Sequence, residues 1–194
     1  MRSRGGTDDA YGAPVSTLSG VRLVPERDEH HADVRRVVLA AFAHHPSVAD
    51  LVELVRASPE YLPDLALVAL ADEAVVGHVM VSRASLVEED GTRHGVLTLS
   101  PLAVAPSHQG RGVGGLLVRS VLTRAGSTGE PLVTLEGSPR YYPRFGFRPA
   151  ADLGVSITLP EWAPPEAAMV YPLPGHRPEV RGHVEYPPAF AQID

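Results

Sequence analysis

The chain has 194 residues, 44% hydrophobic and 21% charged, with a net charge of −6. That length is expected to form one domain, burying roughly 70% of its unfolded surface without a disulfide or metal staple. With no cysteine and all 17 basic residues arginine, a disulfide scaffold, a thiolate metal site, a cysteine nucleophile and a lysine Schiff base are all excluded.

Residues 1–19 are rich in Gly, Ser, Asp and Pro and are expected to be a disordered lead-in. The opening MRSRGGTDDAYGAP has no apolar h-region, so no secretory signal is expected. Residues 20–194 make the domain, with about 174–194 as a C-terminal strand and extension. Val21–Val24 predicts the first strand. Val34, Val37, Val38, Ala41 and Phe42 recur at helical spacing, with Asp28 as the expected N-cap. Val48–Arg56 predicts a second helix. From Leu65 the Val- and Leu-rich segments LALVALAD, AVVGHVMVSRASLV and HGVLTLSPLAV predict a three-stranded antiparallel meander. A helix follows Pro106, with Leu116, Leu117, Val121 and Leu122 as its buried stripe and Gly126 as its stop. LVTLE (132–136) is the next strand, a short helix spans Tyr141–Phe145, and AAMVYPL and GHVEY supply strands near the end. The pattern is α+β, with a mixed, largely antiparallel sheet flanked by helices.

The most informative stretch is PLAVAPSHQGRGVGGLLVRSVL (101–122). Gly110, Gly112, Gly114 and Gly115 stand where a strand turns into a helix. Glycines there permit positive φ and let a bulky anion approach without meeting Cβ atoms. The free N–H groups of the first helical turn and the helix dipole favour negative charge in the same place. The expectation is a phosphate or diphosphate cradle, with Arg111 as an added charged donor. Gly110, Gly112 and Gly115 also satisfy G-x-G-x-x-G, and Glu136 ends the following strand, so a dinucleotide-binding oxidoreductase is a second reading. Against it, about a hundred residues precede the motif and too little chain follows Glu136 for further βαβ units.

These residues resemble the GNAT superfamily of acetyl-CoA-dependent N-acetyltransferases. Its Gln/Arg-x-x-Gly-x-Gly/Ala signature is matched by Gln109, Gly112 and Gly114, within L-x-V-x-P-x-x-Q-G-x-G-x-G from Leu102 to Gly114. Its second block, a Tyr shortly before Gly-Phe, is matched by RYYPRFGFRPA, with Tyr142 four residues before Gly146. The resemblance covers roughly Val21 to Leu173. It implies a single domain whose central sheet is splayed at an acyl-CoA cleft. Acetyl-CoA is then a cosubstrate, its diphosphate held by the amides of Gln109, Gly110, Arg111, Gly112, Val113 and Gly114. Its pantetheine arm would run along Leu102, Ala103 and Val104. Ser138 stands where the family often has Asn or Asp, as a further cofactor contact.

The implied reaction moves an acetyl group to a primary amine by direct attack in a ternary complex; a non-catalytic acyl-CoA-binding domain is the alternative. Tyr142 is the expected general acid and cofactor contact, with Tyr141 as the one-residue alternative. Glu136 is the candidate base, beside Glu88 and Glu89 on a meander loop. The paired histidines His30-His31 and His44-His45 lack a ligating spacing, so no metal is expected. No cationic cluster suits a nucleic acid and no 18-residue apolar run suits a membrane. The expected partner is a small-molecule or peptide amine, the expected compartment the cytoplasm, and a homodimer is left open.

Overall fold

In the computed structural model, which describes residues 17–18 and 20–192, strands β1 (Thr17–Leu18) and β2 (Val21–Pro25) open one mixed sheet. The lead-in expected over 1–19 lies outside the described residues except for Thr17 and Leu18, which pair with Arg22 and Val21. Helix α1 (His31–Ala41) starts later than expected. Asp28 does not cap it: the Nδ1 of His30 accepts the Arg27 N–H at 3.1 Å, which closes a 3₁₀ turn over Asp28–His30 first. Helix α2 is Ser47–Arg56.

The apolar run after Leu65 forms β3 (Ala66–Ala71), β4 (Ala74–Val87) and β5 (Arg93–Val104), paired antiparallel in sequence order. These strands read as almost continuously apolar because both faces are covered. Leu67, Ala69, Val79 and Val81 face α3 (Val113–Ala125), whereas Ala66, Val68, Leu70 and Met80 face α1 and α2. Helix α3 then crosses over to β6 (Leu132–Glu136), which lies parallel to β5. A parallel neighbour requires such a crossover. Beyond β6 the sheet continues antiparallel through β9 (Ala168–Pro172) to β7 (Arg148–Pro149). A third apolar cluster, around Leu86, Val96, Leu132 and Val170, closes the far end under β8 (Val155–Ser156) and β10 (Gly182–Glu185).

Two features shape the cleft. Strands β5 and β6 pair only at Leu97–Val133 and Thr98–Thr134, then part, so the edge of Leu99–Val104 that faces β6 has no strand partner among the described residues. At the same level the β4–β5 register shifts, with Met80 opposite Ser100 and Pro101. Proline has no N–H to give a ladder, and a bulge is where a strand interior tolerates it.

Candidate active site

The turn after β5 sets the geometry. Gln109 folds back, its Nε2 donating to the Val104 carbonyl at 3.0 Å. Gly112 caps α3 at φ +88°, a left-handed conformation that a side-chain-bearing residue takes only with strain. The first intrahelical bond runs from the Leu116 N–H to the Gly112 carbonyl, 3.0 Å. The N–H groups of Val113, Gly114 and Gly115 therefore have no helical acceptor and face outward.

A cavity of about 560 Å³ opens on this turn. Of the residues expected to bind the cosubstrate, Leu102, Val104, Gln109, Gly110, Gly112, Val113 and Gly114 line it. Ala103, Arg111, Ser138 and Tyr142 do not. Ala103 turns to the opposite face, buried against the α1–α2 layer. Ser138 shapes the next turn: its carbonyl accepts from the N–H of Tyr141 at 2.9 Å and of Tyr142 at 3.3 Å. The two tyrosines diverge. Tyr141 reaches the cavity wall, its hydroxyl 2.6 Å from where a Cβ on Gly114 would stand. Gly114 is thus small because Tyr141 needs the space. Tyr142 turns toward the end of β6, where a Cβ on Gly137 would overlap its ring. Edge contacts tie it to Tyr141 (5.1 Å between centroids) and Phe147 (5.6 Å). The expected short helix is a 3₁₀ turn over Tyr142–Phe145, ended by Gly146.

This arrangement has relatives. An acetyltransferase (GNAT) domain model matches residues 22–150. The chain belongs to the GNAT acetyltransferase family. It is 36% identical over 130 residues to the uncharacterised N-acetyltransferase YjhQ of Escherichia coli, covering 66% of this chain and 71% of YjhQ. It is 34% identical over 157 residues to the mycothiol acetyltransferase of Brachybacterium faecium, covering 75% of this chain but only 46% of that protein. Among solved structures, the E. coli GNAT family N-acetyltransferase YhbS in complex with CoA superposes with a TM-score of 0.77 at 26% identity, over 96% of each chain. A GNAT family acetyltransferase from Brucella melitensis in complex with acetyl-CoA gives 0.70 at 28% identity, over 88% of this chain and 97% of that one.

As a GNAT acyltransferase, the chain uses its glycine motif differently from a dinucleotide fold. The motif follows a long antiparallel β5, and the sheet beyond Glu136 turns antiparallel to β9 instead of adding βαβ units. The oxidoreductase reading is therefore set aside. Glu136 ends β6 away from the cavity lining. Its carboxyl is raised by its surroundings, which shed water from the charged form, while a hydrogen bond from Tyr186 acts the other way. Tyr186 itself stacks on Phe190, 5.0 Å between centroids. Burial raises the phenols of both Tyr141 and Tyr142, so both stay protonated through the neutral range. Glu88 lies on the β4–β5 loop, paired with His94. Among the described residues no group of three or more His, Asp or Glu could hold a metal ion, and no helix is long and apolar enough to cross a membrane.

Sequence reasoning missed the other cavity walls. Ala41 and Phe42 come from the end of α1, and Arg119, Arg144 and Phe145 from α3 and the turn after Tyr141. Arg119 had a signal, standing four residues after Gly115 and hence on its face of α3. Phe42 had none, since only the tertiary fold brings α1 to the cradle.

Proposed function

We propose that this chain moves an acetyl group from acetyl-CoA to a primary amine by direct attack in a ternary complex. The observation that carries this reading is the continuity of one cavity. It runs from the outward N–H groups at the start of α3 to Leu102 and Val104, beside the strand edge that β6 leaves free. A diphosphate suits the first part, as an anion against a helix N-terminus. An amide-bearing arm suits the second, since a free strand edge offers donors and acceptors in sequence. The relatives solved with CoA and acetyl-CoA support the same assignment.

Tyr142 is the proposed proton donor to the leaving thiolate. It stands beside Gly137 at the exit of β6, on the flank of the splay, whereas Tyr141 stands over the anion end. Glu136, also at that exit, is the proposed base, its raised carboxyl better matched to taking a proton near neutrality than an ordinary one. Ser138 acts by holding the turn that presents both tyrosines.

A thermal-shift series with a thiol-release assay tests the reading. Acetyl-CoA at a hundred times its Kd adds about 2.7 kcal/mol and raises Tm, while NAD leaves it unchanged. Thiol release with a panel of primary amines follows. Stabilisation by acetyl-CoA without release for any amine would favour a non-catalytic acyl-CoA-binding domain. No stabilisation would remove the reading altogether.

A further inference from the structure

The C-terminal segment reaches a part of the molecule that its place in the sequence does not suggest. Strand β10 pairs antiparallel with β4, Glu185 opposite Ser85, and the next residue, Tyr186, packs on the third apolar cluster. The Phe190 N–H then donates to the Pro187 carbonyl at 2.9 Å, which turns the chain so that Ala189 and Phe190 pack into the cluster under α1 and α2. Tyr186 and Phe190 stack nearly parallel, 5.0 Å between centroids with 11° between the planes. The Tyr186 ring is thus held from both clusters, and its hydroxyl donates to the Glu136 carboxyl.

Alternation along β6 places that carboxyl. Leu132 belongs to the third cluster, whereas Val133 and Leu135 belong to the cluster under α3, so Glu136 shares the face of Leu132 and the C-terminal segment. Tyr142, the other titratable group at this exit, packs on the α3 side. The proposed acid and base therefore stand on opposite faces of the sheet, and Tyr186 is the group that meets the base. Glu136 is also exposed, so an amine can reach it. A glutamate alone at a strand end is free to change rotamer. A carboxylate accepts at two oxygens, so a phenol on one of them fixes the group and leaves the other open. We propose that Tyr186 is a positioning residue for the reaction, holding one oxygen of Glu136 so that the other takes the proton shed by the acceptor amine. As the nitrogen bonds to the acetyl carbonyl carbon and the C–S bond breaks, the sulfur takes its proton from Tyr142 and Glu136 takes the one the nitrogen releases. The inference rests on the reading of Glu136 as the base, and adds that the C-terminal segment is part of the active site.

Thiol release and carboxyl titration on the full chain test it, with the wild type, Tyr186→Phe and Glu136→Gln. The titration is followed by carbon NMR of protein labelled at the glutamate side-chain carboxyls, where the signal lost in Glu136→Gln is that of Glu136. Tyr186→Phe keeps the ring and its stack but removes the donor. A donor to the ionised form lowers a carboxyl, so the Glu136 titration should move to higher pH. With saturating acetyl-CoA and the best primary amine of the panel, kcat should fall about tenfold at pH 6, as for loss of a hydrogen bond to a charged group. The acidic limb of the pH–rate profile should move up with the titration, so that the gap narrows toward pH 9, while KM for acetyl-CoA stays within a few-fold of wild type. An unmoved titration overturns the inference, as does a moved titration with wild-type turnover at every pH. A loss of the same size at every pH also overturns it, being what a structural role would give. Wild-type turnover in Glu136→Gln removes the base and this inference with it, yet leaves acetyl transfer standing. No thiol release by the wild type with any amine overturns the transfer reading and this inference together.

Discussion

Two adjacent tyrosines with the same chemistry end in different surroundings, and that difference decides what each substitution should do. Tyr142 is packed between Gly137, Phe147 and Tyr141, and burial raises its phenol well above the usual tyrosine value. A phenol so held is a donor at every pH of a normal assay. Tyr142→Phe keeps the ring and its packing but removes the proton. Turnover is expected to fall by ~10²-fold or more with acetyl-CoA affinity nearly unchanged. The loss should be uniform between pH 6 and pH 9, since the phenol does not titrate there. Tyr141→Phe should instead act on binding, because its hydroxyl lies at the cradle beside Gly114. Steady-state rates and calorimetry on both variants separate the roles. A silent Tyr142→Phe with an inactive Tyr141→Phe would move the acid one residue toward the N-terminus.

The same residues depend on elements that hold them, and β6 with its exit turn matters most. Gly137 has no positive φ, yet a Cβ there would overlap the Tyr142 ring and come within 2.9 Å of Leu135 Cδ1. Gly137→Ala should displace Tyr142, lowering kcat more than tenfold. Overpacking of this kind costs about 1–3 kcal/mol of stability, readable in urea unfolding. Calorimetry should find acetyl-CoA binding within a few-fold of wild type, because the cradle belongs to α3; an unchanged kcat would refute the placement of Tyr142. Nothing local marks Gly137 in the sequence, since its requirement comes from a ring five residues later that the turn folds back over it. By contrast β3 to β6 and α3 were legible, their apolar runs and 3.6-residue stripe being long enough to declare their period. The two-residue strands β1, β7 and β8 carry no period at all. The glycine turn on which the cavity opens was legible because one turn and one helix start make it, whereas Phe42 and Arg144 reach the cavity only through tertiary packing.

At the scale of the whole molecule, the helical layer is tied to the sheet by a buried charge cluster that looks in sequence like an ordinary strand-to-helix linker. The Glu26 side chain, just after β2, is fully buried. It accepts a hydrogen bond from Arg56 at the end of α2 and contacts His78 Nε2 on β4 at 3.0 Å, with His31 of α1 at 3.6 Å. Burial alone would raise its carboxyl, but the hydrogen bond and charge of His78, with Arg56, outweigh it and hold the group below its ordinary value of 4.5. The Tyr61 phenol above is pushed up to about 12, by burial first and then by the Glu26 charge. Glu26→Gln keeps the volume and strands a buried Arg56. Breaking a buried pair in this way costs about 3–5 kcal/mol, on the order of 10 °C in Tm for a chain of this length. The sign of the pH dependence follows from the lowered carboxyl. A carboxylate whose folded value is depressed contributes its stability above the unfolded value and loses it as pH falls through the folded one. Wild type and Glu26→Gln should therefore differ fully at pH 7 and converge as pH drops below the ordinary carboxylate value. Urea midpoints taken stepwise from pH 7 to well below the ordinary carboxylate value check this, and a gap that stays constant through the whole series would show that packing, not charge, is responsible. The double variant Glu26→Gln, Arg56→Leu separates the two further. It removes the stranded guanidinium, so it should regain part of the stability at pH 7 if the penalty is the unpaired charge, and regain none if it is lost shape.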